Sequence, residues 1–179
     1  IFGIETKAQD EQAIVTATEE AQNLDLIAVM NLFKESNNLE EFEKLLNDPV
    51  KGINNLDLNH DRQADYIRVL ETIDGNYRVI VLQSVIGQND FQDVAVINVE
   101  RTSQKTVKVV CQGNTVLYGD DYYVEPETEV YVHIYNWPIW TALFAPHYSY
   151  YHSPYYWNYY PNYYNHYYVV SYYDYYGRI

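Results

Sequence analysis

From residue 25 to residue 33 the hydrophobic positions recur with the period of an α-helix. Leu26, Met30 and Phe33 are separated by four and three residues, which places them on one side of a helix. Asp25 precedes them and has a side chain that suits the N-cap position. The pattern stops at residues 36–38, so this segment predicts one helix with a single buried face. The preceding residues 13–21 fit either a helix or a strand.

A second helix is predicted from Leu39 to Leu46, and the Asn-Asp-Pro sequence at residues 47–49 ends it. Its apolar side chains share one face, and we expect its charged side chains on the opposite face, in contact with solvent. The apolar set is Leu39, Phe42, Leu45 and Leu46, and the charged set is Glu40, Glu41, Glu43 and Lys44.

Beyond residue 65 the hydrophobic pattern changes to that of β-strands. Segments 66–73 and 77–86 are separated by Asp74-Gly75-Asn76, and Asp-Gly favours a tight hairpin because glycine adopts positive φ angles readily. Segments 94–101 and 106–112 predict a second hairpin that turns at residues 102–104. Further strands are predicted at 116–118 and 129–135.

Helices come first in this order and hairpins follow, which is typical of the α+β class. We therefore predict N-terminal helices packed on an antiparallel meander sheet, with a Tyr-rich C-terminal extension. A length of 179 residues suits one domain with a real core. We assign residues 1–144 to a single α+β domain and residues 145–179 to the extension.

Residues 57–65, here called the 57–65 loop, read Asp-Leu-Asn-His-Asp-Arg-Gln-Ala-Asp. Asp57, Asn59, Asp61 and Asp65 place side-chain oxygens at loop positions 1, 3, 5 and 9, and Gln63 at position 7 would contribute its backbone carbonyl. Calcium binds six to eight such oxygen ligands, and a cation would relieve the repulsion between three nearby carboxylates. The loop therefore predicts a structural Ca²⁺ site.

This spacing resembles the Asp-x-Asn-x-Asp-Gly-x-x-Asp loops of dockerin and FG-GAP-type calcium sites over nine residues. The sequence departs from that pattern at position 6, where Arg62 replaces glycine, and from an EF-hand at position 12, where Arg68 replaces glutamate. Position 6 needs a left-handed backbone, which costs a non-glycine residue on the order of 1 kcal/mol. The strand pattern after residue 65 excludes a true EF-hand. An Asx-rich turn without metal is the alternative.

The last 35 residues contain 15 of the 22 tyrosines, mostly as Tyr-Tyr doublets. Pro154 and Pro161 argue against one continuous helix. Tyrosine combines a flat apolar ring with a polar tip, which suits recognition surfaces. We predict a binding surface for a glycan, an envelope protein or a second copy of the chain, and the alternative is that the tyrosines only cover the sheet. The predicted surface residues are Tyr155, Tyr156, Trp157, Tyr159 and Tyr160.

Acidic residues outnumber basic ones by 25 to 11, for a net charge of -14, so a nucleic-acid backbone is not an expected partner. No run of 18 apolar residues predicts a transmembrane helix.

Cys111 is the single cysteine, and its strand position behind Val107 and Val109 predicts a buried, inert thiol. A second acidic cluster at residues 120–125 is expected to be a solvated turn. No nucleophile, phosphate-loop or dinucleotide motif occurs, so we expect no catalytic activity.

Residues 42–49, 53–59 and 65–69 (FEKLLNDP, INNLDLN and DYIRV) are similar to a group of uncharacterised exported proteins of Bacteroidetes. The similarity spans roughly residues 24–135. It implies a periplasmic, outer-envelope or secreted location and no particular activity. The chain begins at Ile1, which fits a leader that has been removed.

These observations favour a non-catalytic secreted or envelope-associated protein with a structural calcium loop and an aromatic contact surface. A carbohydrate-binding module is the alternative, and it would need several aromatic rings displayed to solvent. A hydrolase is a third hypothesis. It would need two carboxylates, or a histidine and a carboxylate, that converge in a cleft.

Overall fold

The computed structural model describes residues 18–102, 107–126 and 136–179. Its helical elements are a 3₁₀ turn (Ala21–Asn23), α1 (Leu26–Glu35), α2 (Leu39–Leu46), α3 (Thr115–Tyr118), α4 (Pro138–Leu143) and α5 (Tyr172–Tyr176). Its strands are β1 (Tyr66–Asp74), β2 (Tyr77–Gly87), β3 (Asp90–Arg101), β4 (Val107–Gly113) and β5 (Tyr123–Val124).

The strands form one antiparallel sheet in the order β1-β2-β3-β4-β5, so each strand lies beside its neighbours in sequence. This arrangement confirms the predicted meander and the α+β class. The first hairpin closes at the pair Asp74 and Tyr77, and Gly75 between them has a φ of 55°. The left-handed backbone that the Asp-Gly sequence predicts is therefore present.

Both predicted N-terminal helices form, and each begins at a side-chain cap. Asp25 accepts hydrogen bonds from the backbone N–H groups of Ile27 and Ala28, at 2.7 and 3.0 Å. Asn38 caps α2 by accepting the N–H of Glu41 at 2.8 Å. The helices therefore begin where local sequence satisfies the first free N–H groups.

One face of the sheet carries the main hydrophobic core. Alternate residues of β1 point to this face, so Ile67 and Val69 are fully buried in it, together with Ile80 and Leu82 of β2. Helices α1, α2 and α4 cover these side chains with their own apolar faces. The hydrophobic periodicity of α1, α2 and the strands predicted their part of this packing, whereas α4 was not predicted from the sequence.

The outer edge of β1 is closed by side chains instead of by another strand. The amide of Asn47 donates to the carbonyl of Ile67 at 2.7 Å and accepts its N–H at 2.8 Å. Glu43 accepts the N–H of Val69 at 2.8 Å, and Leu70 forms an isolated bridge with His152. An edge strand covered in this way is protected from pairing with other chains.

Two predictions about individual positions are wrong. Glu43 was expected to face solvent, but it is fully buried because it reaches the edge of β1. Residues 116–118 were expected to form a strand, but they belong to α3, which Asn114 caps by accepting the N–H of Val116. The predicted strand at 129–135 and most of segment 13–21 lie outside the described residues, as does much of the turn at 102–104.

The Tyr-rich extension packs against the opposite face of β1 and β2. Tyr66 and Val85 lie directly opposite each other in the sheet, and both point away from the main core. Tyr155 and Tyr164 bury them in a second, smaller hydrophobic cluster. The extension is therefore part of the packed structure, and Tyr155 and Tyr164 fit the alternative in which the tyrosines cover the sheet.

Candidate functional site

The 57–65 loop is held by hydrogen bonds from its own side chains to its own backbone. Asp57 accepts the N–H of Asp61 with one carboxylate oxygen and that of Arg62 with the other, at 3.0 and 2.9 Å. Asn59 also accepts the N–H of Asp61 at 2.9 Å, and Asp61 accepts that of Gln63 at 2.8 Å. Local Asx interactions of this kind fix a tight bend.

Arg62 has the left-handed backbone that its loop position requires. Its φ is 71°, and His60 nearby has a φ of 60°. Each non-glycine residue in this conformation costs on the order of 1 kcal/mol. The side-chain hydrogen bonds of Asp57 and Asn59 to the loop backbone offset this cost.

Asp65 closes the loop and is almost fully buried. Its carboxylate accepts the N–H of Leu58 at 2.8 Å and the hydroxyl of Ser84 at 3.0 Å. Burial raises the pKa of Asp65 to about 6, and the negative charges of Asp57 and Asp61 add to the increase. Asp57 and Asp61 are therefore close enough for their charges to act on the Asp65 carboxyl.

The described residues do not include a group of three or more His, Cys, Asp or Glu side chains that could hold a metal ion as arranged. Both oxygens of Asp57 and one of Asp61 are used by backbone N–H groups of the loop. The structure thus brings Asp57, Asn59, Asp61 and Gln63 into one bend, with Asp65 at its end. The oxygen-only donor set suits calcium, but a ligand shell would require carboxylates to turn inward.

The extension holds the 57–65 loop from the other side. Ala64 donates its N–H to the carbonyl of Tyr167 at 3.0 Å, and Val169 donates to the carbonyl of Arg62 at 3.1 Å. Gln63 and Tyr168 form an isolated antiparallel bridge between these contacts. Residues 167–169 of the extension therefore pair with the C-terminal half of the loop through their backbone.

The Tyr-Tyr doublets divide between the interior and the surface. In the doublet 155–156, the exposed fractions are 4% for Tyr155 and 60% for Tyr156. Neighbouring side chains of extended backbone point in opposite directions, so in this doublet Tyr155 packs while Tyr156 contacts solvent. In helix α5, by contrast, both Tyr172 and Tyr173 are exposed. The exposed tyrosines of the extension are Tyr150, Tyr156, Tyr159, Tyr168, Tyr172, Tyr173 and Tyr176.

Of the five residues predicted as a binding surface, two are well exposed. Tyr156 and Tyr159 lie in solvent, whereas Trp157 and Tyr160 are half-buried. Tyr155 is buried against Tyr66, with ring centroids 4.9 Å apart, and therefore does not belong to an exposed surface. We call the exposed turn of Tyr156, Trp157, Asn158 and Tyr159 the aromatic tip.

The carboxylate of Glu43 is a buried site that our sequence reasoning missed. It accepts hydrogen bonds from the hydroxyls of Tyr66, Ser153 and Tyr151 at 2.6, 2.6 and 3.2 Å, and from the N–H of Val69. Burial raises its pKa above the usual value, against the opposing effect of these four donors. Glu43 follows Leu39 by four residues and therefore lies on the apolar face of α2. This position in the sequence could have indicated that its side chain is buried.

A cleft of about 530 Å³ lies between residues 19–23, the start of the 57–65 loop and residues 169–172. Glu19, Glu20, Asp57 and His60 are among its lining residues. In the described part of the chain no hydrogen bond joins His60 to a carboxylate, and both oxygens of Asp57 are engaged by the loop backbone. Among the described residues the cleft is therefore lined by carboxylates and a histidine, with no hydrogen bond that orients His60 toward a carboxylate.

Cys111 is buried in the main core, and burial raises its thiol pKa to about 12, which keeps the sulfur protonated and inert.

Of the described helices, none has the length and apolar character needed to cross a bilayer. Comparison of the chain with family models, with curated proteins and with solved structures finds no match.

Proposed function

We propose that this protein is a non-catalytic, exported contact protein that binds its partner through the aromatic tip. The exposure of Tyr156 and Tyr159, at 60% and 61%, carries this proposal because their neighbours Tyr155 and Tyr160 are packed. An aromatic ring on a fixed backbone loses little conformational entropy when it binds. The tip therefore provides two ready contact groups on a rigid support.

We infer the exported location only from the resemblance of residues 42–49, 53–59 and 65–69 to exported Bacteroidetes proteins. The absence of catalysis is supported by the way the buried carboxylates are used. Glu43 and Asp65 each accept hydrogen bonds from structural groups. Neither faces the cleft beside the 57–65 loop.

Binding of the full chain to isolated Gram-negative envelope fragments tests the contact function. We expect the double variant Tyr156→Ala/Tyr159→Ala to bind at least about tenfold more weakly, because each lost aromatic contact removes on the order of 1 kcal/mol. The matched control is Tyr168→Ala/Tyr173→Ala, which removes two other exposed tyrosines. Equal binding by wild type and the tip variant would contradict the proposal.

Carbohydrate is the second candidate partner, and the composition of the tip favours it. The exposed amide of Asn158 lies between the exposed rings of Tyr156 and Tyr159, so an apolar face and a polar group occur together. A glycan array separates the two candidates. Binding to a defined glycan that is lost in the Tyr156→Ala/Tyr159→Ala variant supports a carbohydrate-binding module.

We also propose that the 57–65 loop binds Ca²⁺ as a structural ion. This proposal is supported by the oxygen donors at positions 1, 3, 5 and 9, by the left-handed backbone of Arg62 and by the effect of the Asp57 and Asp61 charges on the pKa of Asp65. The ion would neutralise Asp57, Asp61 and Asp65 and fix the start of β1. Its binding free energy would then add to folding stability.

Thermal unfolding at pH 7, with calcium or with a chelator, tests the loop. At a hundredfold excess over Kd we expect calcium to add about 2.7 kcal/mol to the free energy of unfolding. Asp61→Ala should abolish the increase, while Asp120→Ala in the second acidic cluster should retain it. An identical melting temperature with and without calcium would leave only the metal-free Asx turn.

A further inference from the structure

The rings of Tyr156 and Tyr159 form an exposed parallel pair at the surface. Their centroids are 4.5 Å apart, and their planes differ by 19°. Both side chains are about three-fifths exposed, so a diffusing reagent can reach either ring. The two phenol groups are thus close to each other and open to solvent.

The backbone of the aromatic tip keeps this pair in place. Tyr159 donates its N–H to the carbonyl of Tyr156 at 2.7 Å, and Tyr156 donates back to Tyr159 at 3.3 Å. Asn158 between them has a φ of 63°, which completes the tight turn. The stacked rings therefore sit on a closed two-residue turn whose backbone positions them side by side.

The residues on either side of the tip anchor it to the sheet. Tyr155 stacks on Tyr66 with centroids 4.9 Å apart. Tyr160 packs against Tyr155 at 5.1 Å and stacks on Tyr164 at 5.0 Å. Because both ends are fixed, the exposed rings are preorganised in the folded chain.

Among the described residues, other close tyrosine pairs lack either exposure or parallel geometry. Tyr160 and Tyr164 are stacked, but Tyr164 is buried. Tyr172 and Tyr176 are exposed with centroids 4.6 Å apart, but their planes are inclined by 45°. These pairs therefore provide internal comparisons within the same molecule.

We propose that Tyr156 and Tyr159 are a site of oxidative cross-linking, where a peroxidase using hydrogen peroxide joins the two rings as dityrosine. Each phenol loses one electron and one proton, and the two radicals couple through a new bond between ring carbons ortho to the oxygens. The ortho hydrogens then move to the oxygens and restore both phenols. Overall two hydrogens leave the protein, and one hydrogen peroxide is reduced to two waters.

Proximity favours this coupling over reaction between molecules. Two groups held at contact distance react with a high effective concentration, whereas separate chains in dilute solution meet rarely. The cross-link would close a four-residue segment at the tip without disturbing Tyr155 or Tyr160. It would also lock the tip in the conformation that exposes its outer ring faces.

Treatment of the dilute full-length chain with a haem peroxidase and hydrogen peroxide tests the site. We expect monomeric protein to lose two hydrogens, gain dityrosine fluorescence and show the link between residues 156 and 159 by peptide mass spectrometry. Tyr156→Phe and Tyr159→Phe keep the ring but remove the phenol, so each should abolish this link. Tyr172→Phe should leave its yield unchanged.

A second measurement separates preorganisation from simple exposure. A ruthenium polypyridyl complex with persulfate and light oxidises tyrosine in native buffer and in urea alike. We expect the 156–159 link to form at least about tenfold more in the folded chain. Equal yields in both conditions would overturn the proposal. Dityrosine that forms only between separate chains would also overturn the proposal. The absence of a 156–159 link under conditions that oxidise Tyr168 and Tyr173 would overturn it as well.

Discussion

At the scale of single residues, Glu43 joins three parts of the molecule at one carboxylate. It belongs to α2, it accepts the N–H of Val69 at the edge of β1, and it accepts hydroxyls from Tyr151 and Ser153 of the extension. A buried carboxylate is tolerated only where several donors compensate for its lost hydration. At Glu43 this requirement is met by four hydrogen-bond donors, which are three hydroxyls and one backbone N–H and include no basic side chain.

Replacement of this carboxylate by an amide should destabilise the fold. Glu43→Gln keeps the size of the side chain but leaves one oxygen, so the N–H of Val69 or a hydroxyl loses its acceptor. We expect a loss of about 2 kcal/mol in the free energy of unfolding at pH 4.5, measured by urea denaturation. Glu40→Gln, on the exposed side of the same helix, should change stability by less than about 0.5 kcal/mol.

The pH dependence of this loss has a definite sign. The pKa of Glu43 is higher in the folded chain than in the unfolded chain. Its favourable contribution to the free energy of unfolding is therefore complete at a pH below its unfolded-state pKa. This contribution declines as the pH rises through its folded-state pKa. The difference between wild type and Glu43→Gln should therefore be larger at pH 4.5 than at pH 7.5. A difference that grows with pH would show that the carboxylate is stabilised in its charged form.

Sequence reasoning succeeded for residues whose role is local and failed where the partner is distant. Asp25 caps α1 through N–H groups two and three residues away, so its role is visible in the sequence. Glu43 depends on Tyr151 and Ser153, more than a hundred residues later. Its charge suggested a solvent-exposed face, and only the tertiary contacts reverse that expectation.

At the scale of elements, α3 shows why a short apolar run does not determine its own structure. Residues 116–118 fit a strand by composition, but Asn114 caps them as a helical turn. Gly113 allows the ring of Tyr118 to approach the backbone, since a β-carbon there would lie 2.6 Å from the ring. The hydroxyl of Tyr118 then donates to the carbonyl of Leu24 at 2.8 Å. This distant contact favours the turn over a continued strand.

In the 57–65 loop and in the Tyr-Tyr doublets, too, some features follow from nearby residues and others depend on contacts that are distant in sequence. The bend and the left-handed Arg62 follow from the spacing of Asp57, Asn59 and Asp61. In the extended 155–156 doublet, one inward and one outward tyrosine follow from the backbone alone. Which member of the 155–156 doublet turns inward depends on the position of Tyr66 in the sheet, and sequence spacing does not encode that position.

At the scale of the whole molecule, the extension packs against the rest of the domain and is an integral part of it. Its residues cover Tyr66 and Val85, pair with the 57–65 loop and supply two donors to Glu43. It also supplies the hydroxyl of Tyr148 to the buried carboxylate of Glu71 at 2.7 Å. Much of its tyrosine content is therefore structural.

Removal of residues 145–179 should abolish cooperative unfolding. The truncated chain would expose Tyr66 and Val85 and leave Glu43 and Glu71 short of donors. These losses amount to several kcal/mol, comparable to the total stability of an ordinary domain. Thermal unfolding followed by circular dichroism measures the effect, with a chain that lacks only residues 177–179 as length control. A wild-type melting temperature for the truncated chain would contradict this role.

The closure of the β1 edge by the extension has a consequence for biosynthesis. Glu43 and β1 leave the ribosome roughly a hundred residues before Tyr151 and Ser153, which supply its remaining donors. During that interval the sheet can assemble, but the carboxylate and the second face of β1 stay open to water and to chaperones. The segment that ends this exposure is thus translated after the sheet that it covers, and this part of the fold matures only once Tyr151 and Ser153 have been made.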